Sequence, residues 1–452
     1  MTVSTLTLAF PAVQRREVTA VFDGGDVTSD SGVLLLRQAD RALELTRALA
    51  DAVCDLREAG KVEHPVWDVL RARIYGIAMG YEDCNDFDRL AGDPAFKTAC
   101  DRLPTRDGDL ASQPTLSRFE NALSRADLFR MGVAVARAAA GRLPRSTKRI
   151  VIDVDPTDDP CHGQQEFEFF NGFYDCHCYL PLMVYLSGDD GRQWPAAALL
   201  RPGNAGATDG LFGVLRVLIR EIRRRFPTAK IELRGDSSFG VNEVLRFCHQ
   251  QGLDYTLGLK SNAVIARLSE CVRAQVEEEY RRLREEEPTN PRAGDGLRLY
   301  QLLPYQAGSW ERWERMILRA EMTEGTYNPR YIISNRSDLT AREAYAHYCA
   351  RGDRENRIKE FKLDLLGGRT SCHRFLANQA RVLLHLAAAL LMKMIQHALE
   401  GTRWAAAQIA TLRTRLLKVG ARVVVTCRRI VFHLPTSFPQ RESWRLLCQR
   451  LC

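Results

Sequence analysis

Between residues 148 and 366, short β-branched runs and amphipathic helical runs alternate in an order that few architectures accept. "RIVIDVD" (149–155) reads as a strand ending in carboxylates. "FYDCHCYLPLMVYLS" (173–187) is a long apolar run split by Pro181, and "QWPAAALLRPG" (193–203) is a third candidate strand. "DGLFGVLRVLIREIRRRF" spaces Leu211, Leu215, Leu218 and Ile222 along one helical face, with Arg216, Arg220, Arg223 and Arg224 on the other. "KIELRGD" is then a strand, "VNEVLRFCHQQG" a helix closed by Gly252, and "DYTLGL" a strand. "RYIISN" (330–335) is a last apolar strand, followed by a charged helix. The first three strands can pair by hairpins, whereas the later ones need helical crossovers. That order predicts an α/β fold, a mixed sheet with helices on its faces.

The flanking sequence differs. Residues 1–147 read as mostly helical after the short strand "REVTAVF". Within them "ASQPTLSRFENAL" sets Gln113-Pro114-Thr115 before a helix bearing Arg118, as a short helix-turn-helix opens, although simple helix packing explains it equally well. Residues 261–327 interrupt the sheet pattern with a highly charged helix and loop and two strand-like runs. Three segments follow: 1–147 helical, 148–395 containing the sheet, and 396–452 a closing helical and strand segment suited to dimerisation or DNA contact.

A chain of 452 residues with 45% hydrophobic and 27% charged residues is built as a globular protein with a large core. Its net charge of +8 comes mostly from arginine, whose planar fork suits phosphate. The N-terminus lacks the pattern of a signal peptide. The longest apolar run, Val382 to Ile395, carries His385 and Lys393 and reads as a buried helix rather than a span. Thirteen scattered cysteines fit free thiols. Cys161, Cys176 and Cys178, with His162 and His177, form a cluster that contains no CxxC pair. They read as ordinary strand residues ahead of a structural zinc site.

Three carboxylates stand where chemistry is expected in such a sheet. Asp153 and Asp155 end the first strand on one face, and Asp236 ends the fourth beside Gly235. Ligand sites gather at strand ends in open α/β sheets. Glu355 lies on the charged helix "YCARGDRENRIKEFK". At 3.6 residues per turn, Tyr348, Arg351, Glu355 and Lys362 fall within roughly 60° of one another on it. Ile358, Phe361 and Leu365 would form its buried face. Carboxylates without a His or Cys nucleophile suit hard cations such as Mg²⁺, and a pair of such ions serves phosphodiester chemistry.

These residues resemble those of the DDE transposases of insertion sequences, in the IS4-related group and most closely the IS1380 family. The signature of Tyr, two residues, Arg, three residues, Glu, six residues, Lys occurs without a gap as Tyr348, Arg351, Glu355 and Lys362. Asp155-Pro156-Thr157 matches the first-strand Asp-x-Thr, and Gly235-Asp236-Ser237-Ser238-Phe239 matches the second acidic motif. The likeness runs over nearly the whole chain. It implies an RNase H-like (retroviral integrase-like) core with a β-rich insertion before the glutamate helix, preceded by an N-terminal DNA-binding domain. Asp155, Asp236 and Glu355 would be the catalytic metal ligands for two Mg²⁺ ions, with Mn²⁺ as a substitute. Tyr348, Arg351 and Lys362 would contact DNA. Trp310, ahead of its neighbour Trp313, would stack on a flipped base. The implied activity is cleavage at the terminal inverted repeats and joining to target DNA by a homodimer. The setting is the bacterial cytoplasm at the nucleoid, with no membrane partner. Two other readings stay open: an inactive transposase-derived DNA-binding protein, and another metal-dependent nuclease on the same fold.

Overall fold

The computed structural model describes residues 7–290 and 292–451, and the side chains of residues 353–355 lie outside the described set. The chain forms two compact units, one of Val135–Lys359 with Gly368–Val382, the other of Met1–Ala134, Glu360–Gly367 and Leu383–Cys452.

In the first unit, β1 (Arg149–Pro156), β2 (Leu182–Ser187) and β3 (Gln193–Leu199) form an antiparallel meander. Helix α1 (Leu211–Arg225) crosses over to β4 (Lys230–Gly235), and α2 (Asn242–Gln251) crosses to β5 (Asp254–Leu259). Both strands run parallel within the sheet, β4 beside β1 and β5 beside β4. Ile150, Val151, Ile152 and Val154 are buried, as a central strand covered on both faces requires. The face of α1 that carries Leu211, Leu215, Leu218 and Ile222 is buried, and its arginines are exposed. Pro195 sits in β3, an edge strand, where a missing amide is tolerated and where the register against β2 shifts.

The stretch 261–327 is not a separate β-rich module. Its first half is helical (Ala263–Leu268 and α3, Glu270–Glu286), and its strands β6 (Arg298–Tyr305) and β7 (Glu314–Thr323) extend the main sheet. β7 pairs with β8 (Arg330–Ser334), and β8 pairs with β5. The sheet order is therefore β6-β7-β8-β5-β4-β1-β2-β3. Helix α4 (Ala341–Cys349) packs on this extension through Ala344 and Tyr345 against Ile317 and Ile332. A three-stranded satellite sheet of Asp159–Pro160, Cys176–Tyr179 and Phe169–Asn171 interrupts the connection from β1 to β2, broken from β2 at Pro181 as expected.

The charged helix is not continuous. α4 stops at Cys349, Ala350 takes ψ −8°, and the Arg351 amide donates to the Tyr348 carbonyl (3.0 Å) in a tight turn. α5 (Gly352–Lys359) follows, and Glu360–Asp364 is a π-helical turn. Tyr348 and Lys362 thus do not share one helical stripe. Ile358, Phe361 and Leu365 are buried as expected.

The second unit is mainly helical. Helix Val66–Met79 is buried over nearly its whole circumference, and fully buried Arg73 on it pairs with fully buried Glu120 on helix Gln113–Ala122 (2.8 Å). The closing segment is part of this unit: Ala421–Val425 pairs with Val27–Thr28 and with Ile430–His433. The two strands nearest the N-terminus, Thr7–Val13 and Arg16–Val21, form an exposed hairpin. Among the described residues one helix, Phe375–Ala398, is long and apolar enough to cross a membrane, and its most apolar window is 83% buried in the protein.

Candidate active site

The site is set by strand register. Gly235 of β4 stands opposite Val154 of β1 in parallel pairing. The next residue on each strand is a carboxylate, Asp236 and Asp155, so the two project from adjacent strand ends. Asp236 is fixed by its own turn: one carboxylate oxygen accepts the Ser238 amide (2.8 Å) and the Ser238 hydroxyl. Asp155 is 9% exposed, at the rim of the sheet.

Asp153, two residues back on the same strand, has a different task. It is fully buried and takes a bidentate pair from Arg234 on β4 (2.7 and 3.0 Å). Arg234 also donates to the His347 carbonyl at the end of α4. The His347 ring meets Glu232 of β4 at 2.8 Å, and Glu232 also accepts from Arg336 (2.6 Å) and Thr256 (2.8 Å). Despite complete burial, which would raise it, the Glu232 carboxyl is held down at about 2 by His347, Thr256 and Arg336. These bonds fasten the end of α4 to the strand that carries Asp236.

Tyr348 is thereby delivered to the carboxylates. Gly258 on β5 makes the room: a Cβ there would lie 2.8 Å from the Tyr348 hydroxyl, 2.6 Å from the Ser237 amide nitrogen and 3.0 Å from the Asp236 carbonyl carbon. Burial raises the Tyr348 phenol, and Asp236 and Asp155 raise it further against the opposing charge of Arg351. The Arg351 guanidinium lies 5.6 Å from the Tyr348 ring, and its Nη1 is buried with no hydrogen-bond partner among the described residues. Tyr174, on the loop before Cys176, is raised by burial and then by Asp158, Asp155 and Asp236. Tyr174 belongs to the apolar run "FYDCHCYLPLMVYLS", whose local pattern gives it no role at the site. Gly258 carried no local signal either.

Of the residues expected at the site, Asp155, Asp236, Tyr348 and Arg351 come together. Glu355 lies on the backbone of α5, but its side chain falls outside the described residues. Lys362 lies in the π-helical turn, within the other unit. Trp310, expected to stack on a base, is only 7% exposed here and packs edge-on against Tyr305 (5.2 Å) in the β6–β7 connection. Trp313, three residues on, is 69% exposed. Among the described residues Cys161, Cys176 and Cys178 are free thiols.

Two carboxylates at adjoining strand ends of a mixed α/β sheet, with a cationic side chain beside them, suit a hard divalent cation and a phosphate. Residues 10–452 match the transposase DDE domain group 1 family. The chain belongs to this family and is a DDE transposase, whose partner is DNA. No curated protein matches it at a significant level.

Proposed function

We propose that this transposase binds the terminal inverted repeats of an IS4-related insertion sequence, of the IS1380 type, cuts at their ends and joins them to target DNA. The observation that carries the reading is the register Gly235–Val154, which puts Asp236 and Asp155 side by side. The order β3-β2-β1-β4-β5, with β4 parallel to β1 and β5 parallel to β4, supports an RNase H-like core. An all-oxygen donor pair fits a hard divalent cation. Asp155, Asp236 and Glu355 would hold two Mg²⁺ ions, or Mn²⁺ in their place, which supply activation of water and stabilisation of the leaving oxygen.

The protein's own groups do the rest. Arg351 offers a buried guanidinium edge to a phosphate, Tyr348 orients that edge, and Lys362 adds a further phosphate contact. The exposed Trp313 takes the stacking role assigned to Trp310. The helical segment 1–147 reads the inverted repeat, and a homodimer holds the two ends. A labelled inverted-repeat duplex tests the reading. Nicking at the element end in Mg²⁺ or Mn²⁺, none in EDTA, and loss of nicking in Glu355→Gln are expected. Equal cutting in EDTA would exclude two-metal chemistry.

Gly258→Ala probes the site's assembly. The added methyl overlaps the Asp236–Ser237 turn and the Tyr348 hydroxyl. The overpacking is expected to cost about 1–3 kcal/mol of stability. A displacement of about 1 Å at the reacting groups is expected to lower cleavage roughly 10²-fold, with duplex affinity retained. Melting, nicking and gel-shift measurements on one preparation check all three; unchanged nicking would mean that the turn tolerates a side chain.

A further inference from the structure

Helix α1 carries five arginines against one glutamate, and all five are exposed while its leucine face is buried. The glutamate, Glu221, does not neutralise them. Its side chain is only 2% exposed, and its carboxylate is shared by Arg137 (3.1 Å), Arg224 (3.1 Å) and Arg220 (3.4 Å). One negative charge thus faces three positive ones, whose side chains stay 51–64% exposed. Burial would raise the Glu221 carboxyl, yet Arg137, Arg224 and Arg220 hold it below the usual carboxylate range. The Arg142 guanidinium is depressed by burial and then by the like charge of Arg225.

The helix dipole explains only part of this. Cations in a last turn complement the dipole, which covers Arg223, Arg224 and Arg225. Arg216 and Arg220 lie in the body of the helix. Arg216 and Arg220 are four residues apart, and Arg220 stands three and four residues from Arg223 and Arg224, spacings at which like charges repel. An external polyanion would supply the missing charge. From Arg216 to Arg224 the stripe runs about 12 Å along the helix, about the width of a major groove, so its ends can meet phosphates of both strands. Its place in the sheet sets it apart from the carboxylates. α1 leads into Lys230, the first residue of β4, and Asp236 follows the last. The strand between them is about 20 Å long, so the last turn of α1 lies at the end of the sheet opposite Asp155 and Asp236.

We infer that the arginine stripe of α1 is a second DNA-binding surface, which holds duplex DNA by its phosphates, without regard to sequence, away from the bonds being cut. Arginine forks match phosphate oxygens bidentately, and the family's partner is DNA. Backbone contacts of this kind give salt-dependent affinity for any duplex and let a protein track along it. The surface goes beyond the proposed cutting site and does not depend on it.

The test compares the full-length protein with a triple variant, Arg216→Gln, Arg220→Gln and Arg223→Gln, which leaves Glu221 its contacts with Arg137 and Arg224. Binding to a duplex of unrelated sequence is measured by fluorescence anisotropy over a series of salt concentrations. Each lost phosphate contact flattens the log–log salt slope by about 0.9. The slope of the triple variant should therefore fall by roughly 2–3, with affinity down about tenfold or more. The corresponding Lys variant keeps the charge and should keep most of the slope. Nicking of a short inverted-repeat duplex and the melting temperature should be unchanged in both. An unaltered slope in the Gln variant would overturn the surface. So would a slope lost equally in the Lys variant, which would assign the change to helix packing. Loss of nicking on the short duplex in parallel with binding would also overturn it, placing these arginines at the cutting site. A slope that falls as expected in a protein that nicks in no divalent cation would support the surface and defeat the end-cleaving reading alone.

Discussion

Asp155→Asn is expected to give a folded, DNA-binding protein that no longer cuts, whereas Asp153→Asn, two residues earlier on the same strand, is expected to loosen the fold. The first expectation follows from position. Asp155 sits at the rim, one residue past the Val154–Gly235 pair as Asp236 is, so Asn keeps the shape of the side chain while removing the charge that would hold a cation. Nicking should fall by about three orders of magnitude or more, a barrier increase of roughly 4 kcal/mol. Affinity for the duplex, supplied by many phosphate contacts, should remain. The second expectation follows from pairing. Asp153 is the buried counter-charge of Arg234, and an amide leaves that guanidinium uncompensated in the sheet. Loss of one partner of a buried pair costs about 3–5 kcal/mol. Thermal melting, gel shift and nicking assays on both variants separate the cases. Wild-type nicking by Asp155→Asn would remove it from the catalytic set, and wild-type melting of Asp153→Asn would refute the clamp.

The largest stability effect in the helical unit is expected at Glu120. Its carboxylate is completely buried and faces Arg73, also completely buried, which donates as well to the Glu82 carbonyl (3.0 Å). Glu120→Ala would strand a guanidinium in the centre of the unit, again at about 3–5 kcal/mol, against a total stability of roughly 5–15 kcal/mol for an ordinary protein. A fall in melting temperature of roughly 10 °C or more is expected. The double variant Arg73→Met with Glu120→Leu should recover most of it, since apolar side chains of similar volume replace buried pairs at little cost. Calorimetry on the single and double variants decides the matter. A double variant no better than Glu120→Ala would mean that the pair supplies shape or specificity that apolar packing does not.

What could be read from the sequence was whatever local chemistry encodes. The β-branched run ending at Asp155, the leucine spacing of α1, the glycine closing α2 and the break at Pro181 each depend on residues within a few positions of one another. The structure has all of them. Asp155 and Asp236 were likewise legible as strand-end carboxylates. Other features rest on partners far along the chain, and periodicity carries no record of them. Asp153 and Asp155 look alike until Arg234, on another strand, neutralises the first. Two tryptophans three residues apart differ because Tyr305 covers one and leaves the other in water. The strand-like runs of 261–327 joined the main sheet because β8 offered β7 an edge, and the closing segment found Val27–Thr28 by the same means. The uniform stripe on the charged helix failed at Ala350, where the chain tightens into a turn while the end of α4 is held to β4 by Arg234 and His347. Local periodicity determined which elements form and which carboxylates end them; long-range pairing of charges and strand edges decided which of those residues are structural and which face the site.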